Sequence, residues 1–383
     1  MRWIATCPHE TVEVLAAELS ALGVQDQNTL HRGIAFDADL ETAYRAHLLL
    51  RTASRIQRVV GEFAVPDINA LRTELQKITW PEWLRSHRPF TVAPALTDPH
   101  AQSLGEQAVI TSVVQSIQNC AFAKSAPQFA PEADDPISIV LFIRNGTCVL
   151  GIDTAGRALH KRGWRITGHP AVLKETLAAS ILLLAGYTGQ EPLLDPMCGS
   201  GTIVIEAAYI ALHKAPLIHR GKDDFALEHL AGFDRTLWRR VSDQLRSAKG
   251  NALPAPIYAS DIRAEYVEVA RASALRARVE KYLEFSAKPF QEWVPPAPNG
   301  LLVANLPYGE RIGAGVINAL YRDMGNLIKQ RFANWRIALL APNDAPIHLL
   351  TLNTDKEIAL MNGALPVKLL LANRGRFDKG PVS

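Results

Sequence analysis

One turn decides the fold of the larger part of this chain: Asp195-Pro196-Met197-Cys198-Gly199-Ser200-Gly201-Thr202. The apolar pair Leu193-Leu194 precedes it and the helix-like run Ile203–Leu212 follows it, so the stretch predicts a strand, a small-residue turn and a helix. The first N–H groups of such a helix can bind a ligand. A phosphate-binding loop would place a lysine after Gly201, and a dinucleotide fold would add a third glycine; the sequence has neither.

A second motif, Asn305-Leu306-Pro307-Tyr308-Gly309, follows the apolar run Leu301–Ala304. Each motif alone is also found in ordinary turns. Ligands of open α/β sheets bind beyond the carboxyl ends of the strands, where both motifs are expected. A carboxylate there, such as Asp195, can bind an amino group. We interpret the two motifs together as a pocket for S-adenosylmethionine beside a clamp for a planar amine.

The second motif offers the acceptors that methylation of an amine requires. An exocyclic amine of guanine or adenine is a poor nucleophile because its lone pair is delocalised into the ring. The side-chain oxygen of Asn305 and the carbonyl of Leu306 can accept its two hydrogens, while Pro307 lies in the same turn and Tyr308 can stack on the base. The positive charge on sulfur drives the displacement, so catalysis is mostly positioning and electrostatics. A base within folded RNA or a duplex must be flipped out to reach this clamp.

Asp261 is a second carboxylate at the end of an apolar strand, after Tyr258-Ala259-Ser260. We expect it to accept hydrogen bonds from both ribose hydroxyls of the cofactor, with Ile262 beside it. The alternative is an aspartate that caps the following helix, Glu265–Arg276.

A basic segment lies between the two halves of the chain. Positive charges interleaved with a tryptophan suit a phosphate backbone and a stacked base. The alternative is a solvated linker. The residues expected to contact RNA are Arg157, His160, Lys161, Arg162, Trp164 and Arg165.

The composition limits the class of protein. The 383 residues suffice for two or three domains, and the net charge of +3 means that nucleic acid would bind through local clusters. No apolar run approaches the roughly twenty residues of a membrane helix, and Met1–Cys7 is too short for a signal peptide. The four cysteines lack the spacing of a zinc or redox site. We expect a cytoplasmic protein with no membrane partner and no metal.

The pattern of elements changes near residue 170. Before it, short strands and helices alternate, and Asn145-Gly146 predicts a hairpin between Ile137–Arg144 and Thr147–Asp153. After it, apolar strands alternate with helices, which predicts a parallel, doubly wound sheet. A second such turn, Asn362-Gly363, predicts an antiparallel final pair. Residues 213–255 are predicted to be an insertion that forms a solvated helical cover, a lid or an RNA-contacting element.

The motifs above, with Leu159–Arg165 and Lys174–Ala179, resemble the THUMP-domain RNA methyltransferases over nearly the whole chain. The likeness is greatest to the branch that methylates guanine N2 in 23S rRNA, in the amino-terminal half of its fused form; because the sequence ends at Ser383, we expect the second activity to be absent. The resemblance implies an α/β fold in which ferredoxin-like (1–60) and THUMP (61–156) α+β modules precede a basic linker (157–170) and a Rossmann-like S-adenosylmethionine methyltransferase domain (171–383). It also adds Arg311 to the RNA contacts.

Two positions depart from the family pattern. Leu306 stands where the family usually has proline, but that position acts through its backbone carbonyl and should tolerate leucine. Lys288-Pro289-Phe290 stands where related enzymes place an aspartate that contacts the adenine amine of the cofactor. Either the cofactor binds more weakly, or stacking on Phe290 and backbone contacts replace the acid.

The leading hypothesis is an RNA guanine-N2 methyltransferase that acts on 23S rRNA. A tRNA guanine-N2 methyltransferase has the same domains and chemistry. Adenine-N6 methylation of DNA or RNA uses a similar clamp. The alternative from another class is a non-catalytic RNA-binding assembly factor.

Overall fold

The computed structural model describes residues 1–85, 88–166, 173–221, 224–307 and 314–373. The chain divides into two compact units. The first contains Met1–Cys7, Leu15–Leu159 and Arg220–Asp243, and the second contains Pro8–Val14, His160–His219 and Gln244–Ser383. Within the described residues, no helix has both the length and the apolar character needed to cross a membrane.

The helices and strands of the described residues alternate along most of the chain. In order they are β1 (Arg2–Thr6), α1 (Val12–Ala21), β2 (Gln27–Leu30), β3 (Gly33–Asp37), α2 (Leu40–Leu49), β4 (Arg55–Ala64), α3 (Ile68–Gln76), β5 (Phe90–Leu96), α4 (Pro99–Ser103), α5 (Glu106–Gln118), β6 (Ile137–Arg144), β7 (Thr147–Asp153), α6 (Glu175–Leu184), β8 (Leu193–Asp195), α7 (Thr202–Ala211), α8 (Arg235–Ser247), β9 (Ile257–Asp261), α9 (Ala264–Arg276), β10 (Leu283–Ala287), β11 (Leu301–Asn305), α10 (Ala314–Arg331), β12 (Arg336–Pro342), β13 (Lys356–Asn362) and β14 (Leu365–Ala372).

The first unit is built on one seven-stranded sheet with the order β2-β3-β1-β4-β7-β6-β5. Strand β4 joins its two parts: Arg55–Arg58 pair with β1, and Gln57–Ala64 pair with β7 across an irregularity between Val59 and Gly61. The boundary that the sequence placed between residues 60 and 61 therefore falls inside β4, and the two modules predicted there share a single sheet.

The segment predicted as an insertion in the second domain packs largely with the first unit instead. Residues Arg220–Asp243 belong to that unit. The ring of Trp238 on α8 lies 5.2 Å from the ring of Tyr44 and 5.4 Å from that of Phe225, measured between centroids. The Asp234 N–H donates to the Tyr44 hydroxyl at 2.9 Å. Residues 220–243 of the predicted insertion thus belong to the first unit, where Trp238 packs against Tyr44 of the amino-terminal half and against Phe225 of the same segment.

The second unit carries the other seven-stranded sheet, with the order β10-β9-β8-β11-β12-β14-β13. Strands β8 to β12 run parallel, and β14 is antiparallel to both of its neighbours. The doubly wound sheet and its antiparallel final pair are thus confirmed, including the turn at Asn362-Gly363 between β13 and β14.

Helices cover this sheet on both faces, as the alternation of strand residues requires. Leu301 and Val303 belong to a core cluster shared with α6, α7 and α9. Leu302 and Ala304 belong to a separate cluster shared with α10. A sheet buried on both faces leaves its carboxyl edge as the place where loops can form a ligand pocket.

Candidate active site

The turn after β8 is held closed by backbone hydrogen bonds. The Met197 N–H donates to Oδ1 of Asp195 at 3.1 Å, and the Cys198 N–H donates to the Ser260 carbonyl at the end of β9 at 2.8 Å. The Gly201 N–H closes the turn on the Cys198 carbonyl at 2.8 Å. Helix α7 then begins at Thr202, so the turn leads directly to a helix N-terminus, as the sequence predicts.

Gly201 is required by both backbone angle and space. Its φ is +79°, in the left-handed region that favours glycine. A Cβ added there would lie 2.9 Å from the Cβ of Ala270 on α9. The glycine therefore permits the close approach of α7 to α9 that shapes the turn.

Asp261 links the turn to the neighbouring strand. Its Oδ2 accepts the Gly199 N–H at 3.1 Å, and its Oδ1 accepts the Arg263 N–H at 3.0 Å. The alternative role as a helix cap is only partly met, because the N-cap position of α9 is Arg263. Each carboxylate oxygen can accept two hydrogen bonds, so Asp261 keeps capacity for hydroxyl donors.

Asp195 is buried, with 1% of its surface exposed. Burial raises the pKa of its carboxyl to about 8, and the nearby negative charge of Asp261 adds to this rise. A carboxyl in such a position gains a great deal from a cationic partner, because an ammonium group restores the ionised form. The site at the end of β8 is therefore suited to a positively charged amino group.

Asn305 ends β11, and its Oδ1 is buried without a hydrogen-bond partner in the part of the chain that the structure describes. Leaving a buried amide oxygen without a donor costs about 1–3 kcal/mol. Leu306 is buried, and its N–H donates to the Leu340 carbonyl at 2.9 Å, which anchors the start of the motif; Pro307 is half-buried. Tyr308 lies outside the described residues. The orphaned oxygen is explained if a ligand supplies an N–H.

The two residues expected at the adenine end of the cofactor have different surroundings. Ile262 is 71% exposed just after β9. Phe290 is 5% exposed and belongs to the core cluster of Trp293 and Leu302. The Lys288 N–H donates to the Asp261 carbonyl at 3.1 Å, so Lys288–Phe290 does border the site.

The basic segment has one inward and one outward side. Arg162 and Trp164 are buried, whereas Lys161 and Gly163 are exposed. The Nε of Arg162 lies 3.3 Å from Oε1 of Glu206, and both side chains are fully buried. This corrects the expectation that Arg162 and Trp164 contact RNA, because neither side chain reaches the surface.

Arg165 is also engaged within the protein. Its Nε donates to Glu175 at 2.9 Å, and its terminal nitrogens donate to the Leu173 carbonyl at 2.8 Å and to the Ser200 hydroxyl at 3.4 Å. The segment thus braces the turn after β8. His160 is half-buried, and Arg157, in the first unit, is exposed and lies within 3.8 Å of the carboxylates of Asp135 and Asp224. Arg311 lies outside the described residues.

Sequence reasoning missed three charged residues here: Lys174, Glu175 and Glu206. Glu206 could have been found, since a lone carboxylate within the apolar run of α7 must have a partner.

The strand order, the antiparallel strand between β12 and β13, and the small-residue turn after β8 define a Rossmann-like methyltransferase fold. The chain belongs to the family of RMKL-like methyltransferase domains, which matches residues 162–370. Residues 2–57 match a second family, the RlmL ferredoxin-like domain. The predicted ferredoxin-like start and the Rossmann-like methyltransferase domain are thereby confirmed.

Named relatives agree with this assignment. The chain is similar to the ribosomal RNA large subunit methyltransferase K/L of Vibrio campbellii, with 32% identity over 95% of this chain and 52% of the relative. The corresponding protein of Aliivibrio fischeri shows the same identity and coverage. The chain thus spans about half the length of the curated relatives it matches.

Solved structures share the fold over both units. A putative methyltransferase, SMU.472, complexed with SAH, has 28% identity and a TM-score of 0.82, covering 98% of each chain. A predicted N6-adenine-specific DNA methylase from Listeria monocytogenes has 26% identity and a TM-score of 0.82, covering 97% of this chain and 95% of its own.

Proposed function

We propose that this chain is an S-adenosylmethionine-dependent RNA methyltransferase that methylates the exocyclic N2 amine of a guanine, in 23S rRNA as the leading substrate. The observation that carries the proposal is the buried side-chain oxygen of Asn305, which has no hydrogen-bond partner among the residues that the structure describes. It lies at the end of β11, which pairs with β8, the strand that ends at the buried carboxyl of Asp195. An acceptor for an amine thus adjoins a site for a cationic amino group.

The residues present fit this cofactor. Asp195 would bind the methionine amino group. Its carboxyl has a raised pKa without a cationic partner, and the positive charge of that amino group would stabilise its ionised form. The turn from Pro196 to Thr202 would enclose the methionine part, and Gly201 permits the close approach of α7 to α9 that shapes this turn. Asp261 would accept the ribose hydroxyls, with Ile262 and Phe290 beside the adenine. When bound, the cofactor supplies an electrophilic methyl group on a positively charged sulfur.

The chain itself contributes positioning. The Asn305 oxygen and the Leu306 carbonyl would accept the two hydrogens of the target amine, which localises the nitrogen lone pair and directs it away from the ring plane. The nitrogen would then take up the methyl group as the methyl–sulfur bond breaks, its electron pair staying on sulfur and neutralising the sulfonium charge, and one N–H proton would leave to water. Pro307 and Tyr308 would complete the clamp, with the tyrosine stacked on the flipped base. Fixed groups of this kind lower a barrier through orientation and electrostatics.

Two observations support RNA as the substrate. The relatives that match nearly the whole chain are named as ribosomal RNA methyltransferases. The first unit offers an α+β sheet ahead of the methyltransferase domain, and residues 61–156 of that unit would serve as the THUMP module. With RNA as its substrate, the protein would act in the cytoplasm. The name of the Listeria relative, an N6-adenine-specific DNA methylase, favours a second candidate, adenine N6, which has an equivalent amine. A tRNA guanine is a further substrate of the same chemistry.

The test is to incubate the purified chain with methyl-labelled S-adenosylmethionine and unmodified 23S rRNA, tRNA or DNA, and to identify the labelled nucleoside. Asn305→Ala should lower kcat by about two to three orders of magnitude while leaving cofactor binding intact. Asn343→Ala is the matched control, since Asn343 is an exposed asparagine that follows β12 at the same edge. N2-methylguanosine in rRNA supports the proposal; N6-methyladenine, or full activity of Asn305→Ala, would contradict it.

A further inference from the structure

A cavity of about 460 Å³ opens beside the basic segment in the second unit. Its walls come from His160–Gly163 and Arg165, from Lys174 and Glu175 at the start of α6, and from the turn Asn362-Gly363 between β13 and β14. Nearly every charged side chain along it is cationic. The positive charge of the cavity therefore favours an anionic ligand.

Two of the cations are already neutralised. Arg162 pairs with Glu206, and Arg165 pairs with Glu175 at 2.9 Å. Lys161 and Lys174 are exposed and form no ion pair within the described residues. Their charges are thus left for a ligand, and the cavity carries an excess of about two positive charges.

His160 lies among these charges in the wall of the cavity. Burial lowers the pKa of its imidazole, and the charges of Lys174, Lys161 and Arg162 add to that effect against the opposing charge of Glu175. A region in which cations disfavour a further cation is one in which an anion is stabilised.

The cavity lies at the same edge of the sheet as the amine clamp. Strand β14 is antiparallel to β12, and Val367 pairs with Pro342 at the carboxyl end of β12. The turn before β14 is therefore at that carboxyl edge, as is Asn305 at the end of β11. Arg165 connects the cavity wall to Ser200 in the cofactor turn at 3.4 Å.

We propose that this cavity binds a backbone phosphate of the substrate RNA next to the flipped nucleotide, with Lys161 and Lys174 as its charge partners. The inference rests on the proposed function and names the part of the substrate that this surface holds. A flipped base needs its backbone held in register, and phosphate contacts supply position without reading sequence. Gly163 and Gly363 suit this role, because little or nothing lies within 4 Å of where their side chains would be.

The experiment measures RNA binding by Lys161→Gln/Lys174→Gln at several salt concentrations. Loss of one phosphate contact should reduce the slope of log K against log salt by about 0.7–0.9. The KM for RNA should rise roughly tenfold at moderate salt, as expected for a lost charge-assisted contact, while kcat at saturating RNA and the Kd for S-adenosylmethionine stay unchanged. Lys161→Arg/Lys174→Arg keeps the charges and should restore the slope.

Lys356→Gln is the matched control. Lys356 is an exposed lysine at the opposite end of β13, six residues from Asn362 and therefore about 20 Å from the turn. This variant should retain the wild-type slope and KM.

Two results would overturn the assignment of the cavity while the proposed function stands. The first is an unchanged slope and KM in the glutamine variant. The second is weakened cofactor binding with normal RNA binding, which would show that the cavity binds the carboxylate of the cofactor. A wild-type chain that methylates only DNA would instead overturn the RNA assignment. The slope measured on that DNA would still decide whether the cavity holds a phosphate.

Discussion

Replacing Arg162 with methionine should destabilise the second unit severely. The change would leave the Glu206 carboxylate buried in an apolar helix without its 3.3 Å partner, and both side chains are fully buried in the native pair. At that separation and an effective dielectric of about 20, the Coulomb attraction is about 5 kcal/mol. Measured losses on breaking buried pairs are about 3–5 kcal/mol. We expect Arg162→Met to lower the free energy of unfolding by that amount.

The double variant Arg162→Met/Glu206→Met isolates the cause. It removes both charges and fills their space with apolar groups, so its stability should return to within about 1–2 kcal/mol of the wild type. Arg271→Met is the matched control, because Arg271 pairs with Glu280 in a half-exposed position and should cost no more than about 1 kcal/mol.

Urea unfolding gives the change in free energy, and hydrogen exchange in peptides covering α7 reports the second unit specifically. The double-mutant cycle should show a large coupling energy. A single variant that costs less than about 1 kcal/mol, or a double variant as unstable as the sum of the two singles, would refute the reasoning.

Three further predictions concern the turn and the buried titratable groups. In the folded chain Asp195 has a pKa of about 8, so the stability contributed by its protonated carboxyl is lost as the pH rises from about 4 to about 8. Asp195→Asn should flatten that part of the profile of Tm against pH and should abolish cofactor binding. An unchanged profile would contradict this prediction. Gly201→Ala should abolish cofactor binding, because its Cβ would lie 2.9 Å from that of Ala270. The control Gly232→Ala, at φ +78° in open space, should lower the free energy of unfolding by only about 1–2 kcal/mol. Calorimetric titration with the cofactor compares the two variants. Burial lowers the pKa of His47 to about 4, so the first unit should lose stability as the pH falls from about 6.5 to about 4, and acid titration of His47→Gln should show a smaller loss.

Local signals predicted much of the fold. The hairpin at Asn145-Gly146 was predictable because its turn has φ of +50° and +72°, which these two residues adopt readily. Strand β5 was not identified, since Pro94 lies within it and argues against a central strand. The structure resolves this conflict by placing β5 at the edge of the sheet, where a missing N–H is tolerated.

Long-range pairing was beyond the sequence. The residues of α8 show an apolar face, but nothing local reveals that Trp238 packs on Tyr44. The cofactor turn could be placed because strand ends and small residues determine it. The role of Arg162 could not be predicted, because the sequence of a basic run is the same whether its arginine binds a phosphate or pairs with the buried Glu206. Burial distinguishes the two, and burial depends on the whole fold.

The discontinuity of the first unit has a consequence for how the chain matures. Tyr44 is synthesised early, yet its ring partner Trp238 emerges nearly two hundred residues later. Because a growing chain folds from its amino terminus, the amino-terminal sheet must wait with an uncovered aromatic surface until α8 is made. A nascent chain paused before residue 220 would expose that surface, which makes it a client for chaperones and gives premature termination products a reason to aggregate.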